Sequence, residues 1–483
     1  MKHRIASVLL ILISLPAYSQ DFRMQYEQFR EQTIQEYASF RDECNQKYAE
    51  FLRQAWDWYD GKAPMPLPKD ENPVPPRPFV PDDDKDEPVE IVPVDVNPIN
   101  PEPQPKPIEP IREVPTPQDD YFTFDFYGVS TRVRLPDCAK LNIKDCSPNT
   151  IANGWQQLCS DEMNNAIRDC LETRIRYNLC DWAYLSFLDE LCRRFCANTN
   201  GATLLTAFLY CQSGYQMRLA NTNNRLVMLF GSKHQIYDKG YYTIDGLNFY
   251  PLGTLSGAVS ICNAAYEGET PMSLIIDSEQ KIGEILSEKR SIGSKKFPDM
   301  TAVSQVPEEL IRFYNSYPTS ALNGNTMTRW AMYANTPLTA ITKDSLYPSL
   351  KEAIDGCTQE AAANKLLNWV QTGFVYEYDD KVWGYDRAFF AEETLYYPFC
   401  DCEDRSILYS RLIRDLLGLD VALIYYPGHL ATAVLFDSEV KGDAVMIGGK
   451  RFVVCDPTYI GAPVGVQMPN LDYSNIQTIT LSR

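Results

Sequence analysis

Histidine is the scarcest chemistry-bearing residue in this chain, with three copies in 483 residues: His3, His234 and His429. So few leave little room for a histidine-rich metal centre. Any Cys–His chemistry in the mature protein must draw on His234 or His429. Positive charge is also short, 45 Lys and Arg against 64 Asp and Glu, for a formal net charge of −19. That balance argues against nucleic acid and against anionic membrane surfaces as partners. No apolar run reaches the ~20 residues that a membrane-spanning helix needs. The longest, Ile5 to Leu15, follows the basic residues Lys2 and Arg4 and precedes Ala17-x-Ser19. This pattern predicts a secretory signal over residues 1–19, with Gln20 at the mature end. No cysteine lies at the cleavage point, so no lipid anchor is expected. The expectation is a secreted or periplasmic protein without a transmembrane segment.

Cysteine and proline are abundant by contrast. Fourteen cysteines suit an oxidising compartment, and eight of them fall within residues 138–211. That density predicts a disulfide framework whose pairing the sequence leaves open. A zinc site through Cys192-x-x-x-Cys196 is the alternative. Residues 61–118 carry 18 of the 33 prolines, mixed with acids as in PDDDKDEP. Such a stretch builds no core and is expected as an extended, polyproline-like spacer.

Upstream of it, Tyr26-x-x-Phe29, Tyr37-x-x-Phe40 and Tyr48-x-x-Phe51 recur every eleven residues. Eleven residues are three turns at about 3.67 residues per turn, so the aromatics fall on one stripe. A helix over 22–59, within an N-terminal segment 20–60, is expected. Its stripe would pack on the rest of the chain or serve oligomerisation or partner contact.

The expected fold class is α+β. Residues 119–270 read as a Cys-rich module: an alternating strand YFTFDFYGVSTRVRL, helices over 150–212, then YQMRLA, RLVMLF, YYTI and NFYPL as strands. Residues 271–344 connect this module to a C-terminal core over 345–483. The two parts share a pattern. ATLLTAFLYCQSGYQMRLA is similar to SILYSRLIRDLLGLDVALI when Gly214 is laid on Gly418, which puts Asn198 at the place of Cys402. YYTIDGLNFY echoes RFVVCDPTY. The first module is therefore either a degenerate copy of the second or an unrelated α+β unit.

The C-terminal core carries the candidate chemistry. Cys402 precedes a run with apolar residues at Ile407, Leu408, Leu412, Ile413, Leu416 and Leu417, closed by Gly418. A thiol at a helix N-terminus meets free backbone N–H groups and the positive end of the dipole, which favour thiolate. His429 opens an alternating strand and Asp456 closes the next. Paired antiparallel across 437–449, the two would face each other. The imidazole would then take the thiol proton while the carboxylate orients it.

These segments resemble the transglutaminase-like core, a branch of the papain-like cysteine enzymes. The resemblance rests on CEDRSILYSRLIRDLLG, on Gly428–His429, on Asp456–Pro457 and on the upstream helix EAAANKLLNWVQTGFVYEYDD. It covers about 345–483. It implies a helix bearing Cys402 packed on an antiparallel sheet bearing His429 and Asp456. Cys402 is preferred over Cys400 for its Cys-x-Asp spacing to Asp404. The backbone N–H of Cys402 is the first candidate oxyanion donor, with Gln371 and Trp383 as candidates for the second. Tyr385, Phe389, Phe390, Tyr396 and Tyr397 are candidates to grip an extended peptide. The implied activity is acyl transfer on amide bonds of a peptide or protein substrate, as peptidase, amidase or cross-linker, with no metal or cofactor required. A non-catalytic binding or scaffold protein on the same fold is the alternative.

Overall fold

The computed structural model describes residues 41–482 apart from 70–72, 82–87, 102, 109–110, 112, 115–120 and 267. The leader 1–19 and the first two aromatic repeats lie outside the described residues. The third repeat sits on helix α1, residues 41–52. The helix does not reach 59, because Asp57–Tyr59 form strand β1. Its buried face is Arg41, Asn45, Tyr48, Ala49 and Leu52, at helical spacing, while Phe51 is 49% exposed. Tyr48 packs between Trp155 and Tyr266, with ring centroids 4.6 Å from each. The stripe thus loses its second aromatic to solvent, and these turns of the helix pack on the Cys-rich module of the same chain rather than on a partner.

The proline-rich stretch also supplies β2 (Arg77–Pro78), β3 (Glu90–Ile91) and β4 (Val94–Val96). A hairpin of β5 (Tyr121–Phe126) and β6 (Val129–Arg134) opens the first unit. Helices α2 (Pro148–Leu158), α3 (Met163–Arg176), α4 (Asp181–Phe195) and α5 (Thr199–Gln212) follow. Their starts are written locally: Ser147 caps α2 ahead of Pro148, and Asn198 caps α5 by accepting from the Gly201 N–H at 2.7 Å. Strands β7 (Met217–Thr222), β8 (Arg225–Ser232), β9 (Gln235–Ile236), β10 (Tyr242–Ile244), β11 (Leu247–Pro251) and β12 (Val259–Cys262) complete the unit.

The connecting region holds β13 (Arg290–Gly293), β14 (Thr301–Ser304), α6 (Glu308–Asn315), β15 (Ser320–Ala321) and α7 (Met327–Asn335). The second unit contains α8 (Ala340–Ile354), α9 (Gln359–Gly373), β16 (Val375–Tyr376), α10 (Asp379–Val382), α11 (Ala391–Tyr396), β17 (Phe399–Cys400) and α12 (Cys402–Leu417). Then come β18 (Asp420–Tyr426), β19 (His429–Leu435), β20 (Ala444–Ile447), β21 (Lys450–Cys455), β22 (Tyr459–Ile460) and β23 (Gln477–Thr480). The α+β class holds throughout. β20 lies inside the stretch 437–449 that was expected as loop.

Both units carry one topology. In the first, the strand order is β12-β7-β8-β11-β10; in the second it is β23-β18-β19-β21-β20. Each follows a long helix that ends before a glycine of positive φ, Gly214 at +92° and Gly418 at +68°. Each opens with a hairpin of two-residue turn, Thr222 opposite Arg225 and Tyr426 opposite His429. The later hairpins turn at Asp245–Gly246 and Gly448–Gly449. YYTIDGLNFY therefore matches the β20–β21 hairpin, and only its second strand falls on RFVVCDPTY, a shift of one hairpin strand from the sequence reading.

The described residues of 61–118 form no helix and pair as short strands, so they are not a free spacer. β3 pairs with β20 at one edge of the second sheet and β4 with β23 at the other. Only Val92 and Pro93 separate β3 from β4, a span of about 10 Å at most. An open sheet of that many strands would be roughly 29 Å wide, so its edges meet and the sheet closes into a barrel. The first unit closes the same way. β1 pairs with β12, and Lys62 bridges to Tyr241 beside β10. Side chains alternate accordingly. Ala422, Ile424, Tyr426, Ala431 and Ala433 fill the second barrel, while Val421, Leu423, Leu430 and Val434 face the helices.

No disulfide joins any of the fourteen cysteines, so the expected disulfide framework is absent from this structure. Cys146, Cys170, Cys192, Cys196 and Cys211 are buried in the helical core, where a thiol packs as a small apolar group. Cys192 and Cys196 join no cluster of metal-ligating atoms among the described residues.

Candidate active site

The first turn of α12 sets the site. Asp401 is its N-cap and Cys402 its first residue. Asp404 folds back so that one carboxylate oxygen accepts the Asp401 N–H at 3.2 Å and the other the Phe389 N–H at 2.8 Å. This ties the loop before α11 to the helix start. Ser406, one turn beyond Cys402 on the same face, donates its hydroxyl to the Leu430 carbonyl at 2.9 Å. The helix end bearing Cys402 is therefore level with the start of β19, where His429 sits.

His429 and Asp456 meet. His429 Nε2 lies 2.9 Å from Asp456 Oδ2, and both residues are 1% exposed or less. Asp456 is itself held, its Oδ1 accepting from Thr458 N–H at 2.8 Å and Tyr459 N–H at 3.2 Å. Two such donors fix the carboxylate in place. The pair determines the ring's orientation and leaves Nδ1 as the nitrogen for a further proton. Nδ1 is buried with no hydrogen-bond partner. The Cys402 thiol, 4% exposed, donates instead to Glu403 Oε2 at 3.1 Å. His429 and Asp456 are thus assembled, and Cys402 makes no hydrogen bond to Nδ1.

Arg405 and Gln371 brace this arrangement. The buried Arg405 guanidinium donates to the carbonyls of Gln371 (3.2 Å), Phe374 (3.0 Å) and Pro457 (3.5 Å). Gln371 Nε2 donates to the carbonyls of Asp456 (2.9 Å), Tyr459 (2.8 Å) and Ala462 (3.1 Å). Gln371 therefore fixes the loop after Asp456 and is spent as an oxyanion donor. Trp383 packs edge-on against Phe389 and Tyr397.

The rival thiols are placed elsewhere. Cys400 accepts from Arg405 Nε at 3.5 Å, and burial pushes its pKa up to about 11. Cys455 is enclosed between α12 and β19, and burial pushes it up to about 12. His234 is a core residue of the first unit. Its Nε2 accepts from Leu274 N–H at 3.1 Å and Nδ1 lies 3.3 Å from Ser320 Oγ. Burial drives its pKa down to about 3, so it stays neutral.

Cys402 opens on a cavity of about 420 Å³ lined by Tyr376, Tyr378, Asp379, Tyr385, Asp386, Asp401 and Glu403, and by Leu67, Pro68, Lys69 and Pro73. Of the expected peptide-gripping aromatics only Tyr385 lines it. Phe389 and Phe390 are core, Phe390 stacking on Tyr314 with centroids 4.1 Å apart, and Tyr396 and Tyr397 pack on each other. Sequence reasoning missed Tyr376; the acidic, aromatic run 378–399 before Cys402 was the signal for the wall, and its Asp379 and Asp386 line the cavity.

That wall opposes the helix dipole. Burial raises the Asp379 carboxyl to about 8 and Asp386 to about 6, with the Glu403 charge adding to both. Burial also pushes Asp401 and Asp404 well above the usual carboxylate range. Arg329, 1% exposed, donates to Asp386 at 3.3 Å and is the counter-charge. The ligand atoms of Asp379, Asp386 and Glu403 lie within 4.8 Å of one another, as do those of Asp401, Cys402 and Glu403. These are the two groups among the described residues spaced closely enough to share a cation.

The first unit has the framework without the chemistry. Sixteen residues before its helix-ending glycine stands Asn198, where the second unit has Cys402. Arg225 takes the place of His429, directly after the matching turn. Seven residues past the second turn stands Gly253 in place of Asp456. No protein-family profile, no curated protein and no solved structure matches this chain.

Proposed function

We propose that this protein is an exported cysteine acyl-transfer enzyme with a transglutaminase-like core, acting on amide bonds of peptides or proteins. The observation that carries the reading is the buried His429–Asp456 pair with Nδ1 unpartnered, level with a helix that begins at Cys402. Export rests on the signal-like leader. In the reaction, Cys402 Sγ attacks the amide carbonyl carbon and its proton passes to His429 Nδ1. Asp456 holds the imidazole and stabilises its charged form. The tetrahedral oxyanion takes the Cys402 backbone N–H. The C–N bond then breaks, and the amine leaves with the proton from His429. The resulting thioester passes its acyl group to water in a hydrolase, or to an amine in a cross-linker. Thiol and imidazole must close to hydrogen-bond distance for the first step.

The test is alkylation of the folded protein by limiting iodoacetamide at neutral pH, read site by site by mass spectrometry, beside His429→Ala. Selective labelling of Cys402 that falls at least about tenfold in the variant supports a working Cys–His pair. Labelling of Cys402 indifferent to His429, or no labelling once the site is opened, overturns it.

A second reading is a binding protein on the same fold. The thiol bonded to Glu403 inside an acidic wall favours it, since nearby carboxylates resist thiolate formation. On that reading Cys402→Ala leaves partner binding intact.

A further inference from the structure

The thiol of the proposed enzyme is 4% exposed, so a substrate reaches it only if something moves. The proline-rich stretch identifies what. It leaves the first barrel at Lys62 and bridges Met65 to Tyr237. Leu67, Pro68 and Lys69 then line the cavity of Cys402, and so does Pro73. The next residue, Val74, donates its backbone N–H to the Gly428 carbonyl at 2.8 Å, immediately before His429. β2 pairs parallel with β22, Arg77 opposite Tyr459 and Pro78 opposite Ile460, three to four residues after Asp456. Phe79 donates its N–H to the Ile460 carbonyl at 2.8 Å and sets its ring edge-on to Tyr459 at 5.5 Å. Residues 67–69 and 73–79 therefore touch the neighbourhoods of Cys402, His429 and Asp456 in turn. Consecutive residues, Pro73 and Val74, stand against the thiol's cavity and against the residue preceding the imidazole.

We infer that residues 67–69 and 73–79 form a strap in the substrate groove, and that the groove takes an extended polypeptide strand. This inference rests on Cys402 being the reactive thiol. The strap holds on by main-chain pairing, a mode that reads extended backbone rather than a particular side chain. Its prolines, Pro73, Pro75, Pro76 and Pro78, keep the segment extended at low entropic cost. They also leave few N–H groups, and those of Val74 and Phe79 are the donors that the groove uses. A substrate strand would take the same path: backbone onto the Gly428 and Ile460 carbonyls, side chains toward Tyr376 and Tyr385, scissile or acceptor amide at the thiol. Strap and substrate exclude each other, so displacement of the strap opens the site.

The test uses the full chain. Val74→Pro removes the N–H that Gly428 accepts while keeping the backbone extended, and Phe79→Ala removes the packing on Tyr459; the second serves if the first fails to fold. Cys402 alkylation by iodoacetamide is measured in wild type, in each variant, and in each variant combined with His429→Ala. The expected result is a rise of about tenfold on loosening the strap, the shift that one lost hydrogen bond gives. A synthetic peptide of residues 64–80 added in excess should reverse it. A wild-type rate that is already fast and unchanged by both variants overturns the strap, leaving the Cys–His pair to stand or fall on His429→Ala alone. A rise that survives His429→Ala keeps the strap and overturns the Cys–His pair. Failure of all variants to label overturns the strap as the element that closes the site.

Discussion

The two barrels differ most at the point where each long helix begins. Helix α5 starts behind Asn198, whose side chain accepts the Gly201 N–H and so uses up the exposed helix end as a cap. Helix α12 hands its capping to Asp401 and Asp404 and sets a thiol as its first residue. Beside the first helix stands Arg225, and beside the second a histidine held by an aspartate. Around equivalent strands and turns, one unit spends its polar groups on local stability, while the other leaves an imidazole nitrogen buried and unpartnered. An orphaned buried acceptor costs roughly 1–3 kcal/mol. A fold bears that cost where the group has a use.

The largest effect should come from removing the third partner. Asp456→Asn keeps the shape but loses the charge that fixes the imidazole, and should slow Cys402 alkylation by ~100-fold in a strap-loosened protein. Gly253→Asn, the counterpart in the first barrel, should leave the rate unchanged; a slowing there would break the contrast between an equipped and an unequipped unit. Next come the two helix-ending glycines. A Cβ on Gly214 would stand 2.0 Å from the Lys106 carbonyl oxygen, whereas one on Gly418 meets nothing within 4 Å. Gly418→Ala should cost about 1 kcal/mol, the strain of left-handed backbone alone. Gly214→Ala should cost ~3 kcal/mol or more in urea denaturation, because backbone must also move. Equal costs would mean that the segment at Lys106 is not held against the first unit.

The smallest effect concerns the acidic wall of the second unit. The folded state raises Asp379 to about 8 from an ordinary 3.8, so the native protein binds this proton more tightly than the unfolded one. The stability from that proton is fully present below pH 4 and is lost as pH rises toward 8. Asp379→Asn should therefore flatten the fall in Tm between pH 5 and pH 8 by a few degrees; an unchanged slope would place the titration elsewhere.

Much of the second unit was legible in sequence, because side-chain pattern decides it. The spacing from Ile407 to Leu417 with Gly418 predicts α12, and the alternation after His429 predicts β19. The echo between Gly214 and Gly418 pointed to paired units, although the hairpin match was one strand out. What was not legible depends on backbone or on distant packing. β2, β3 and β4 are two or three residues long and pair through main chain, so no periodicity marks them. The end of α1 is set by β1 joining β12, which outweighs the eleven-residue repeat. Gln371 carried no mark separating a brace from an oxyanion donor. The cysteines read as a framework because their number was visible and their burial was not.

Each barrel is completed by a strand borrowed from residues 57–62 or 90–96. A fragment starting at 119 or 345 would present two raw sheet edges, templates for pairing between molecules. Such fragments should aggregate rather than behave as smaller enzymes. During synthesis the closing strands emerge before their partners: Asp57–Tyr59 waits for Val259–Cys262, Glu90–Ile91 for Ala444–Ile447, and Val94–Val96 for Gln477–Thr480. The second barrel cannot close until Gln477–Thr480 has been made, and its closing contacts are long-range, which makes for slow folding.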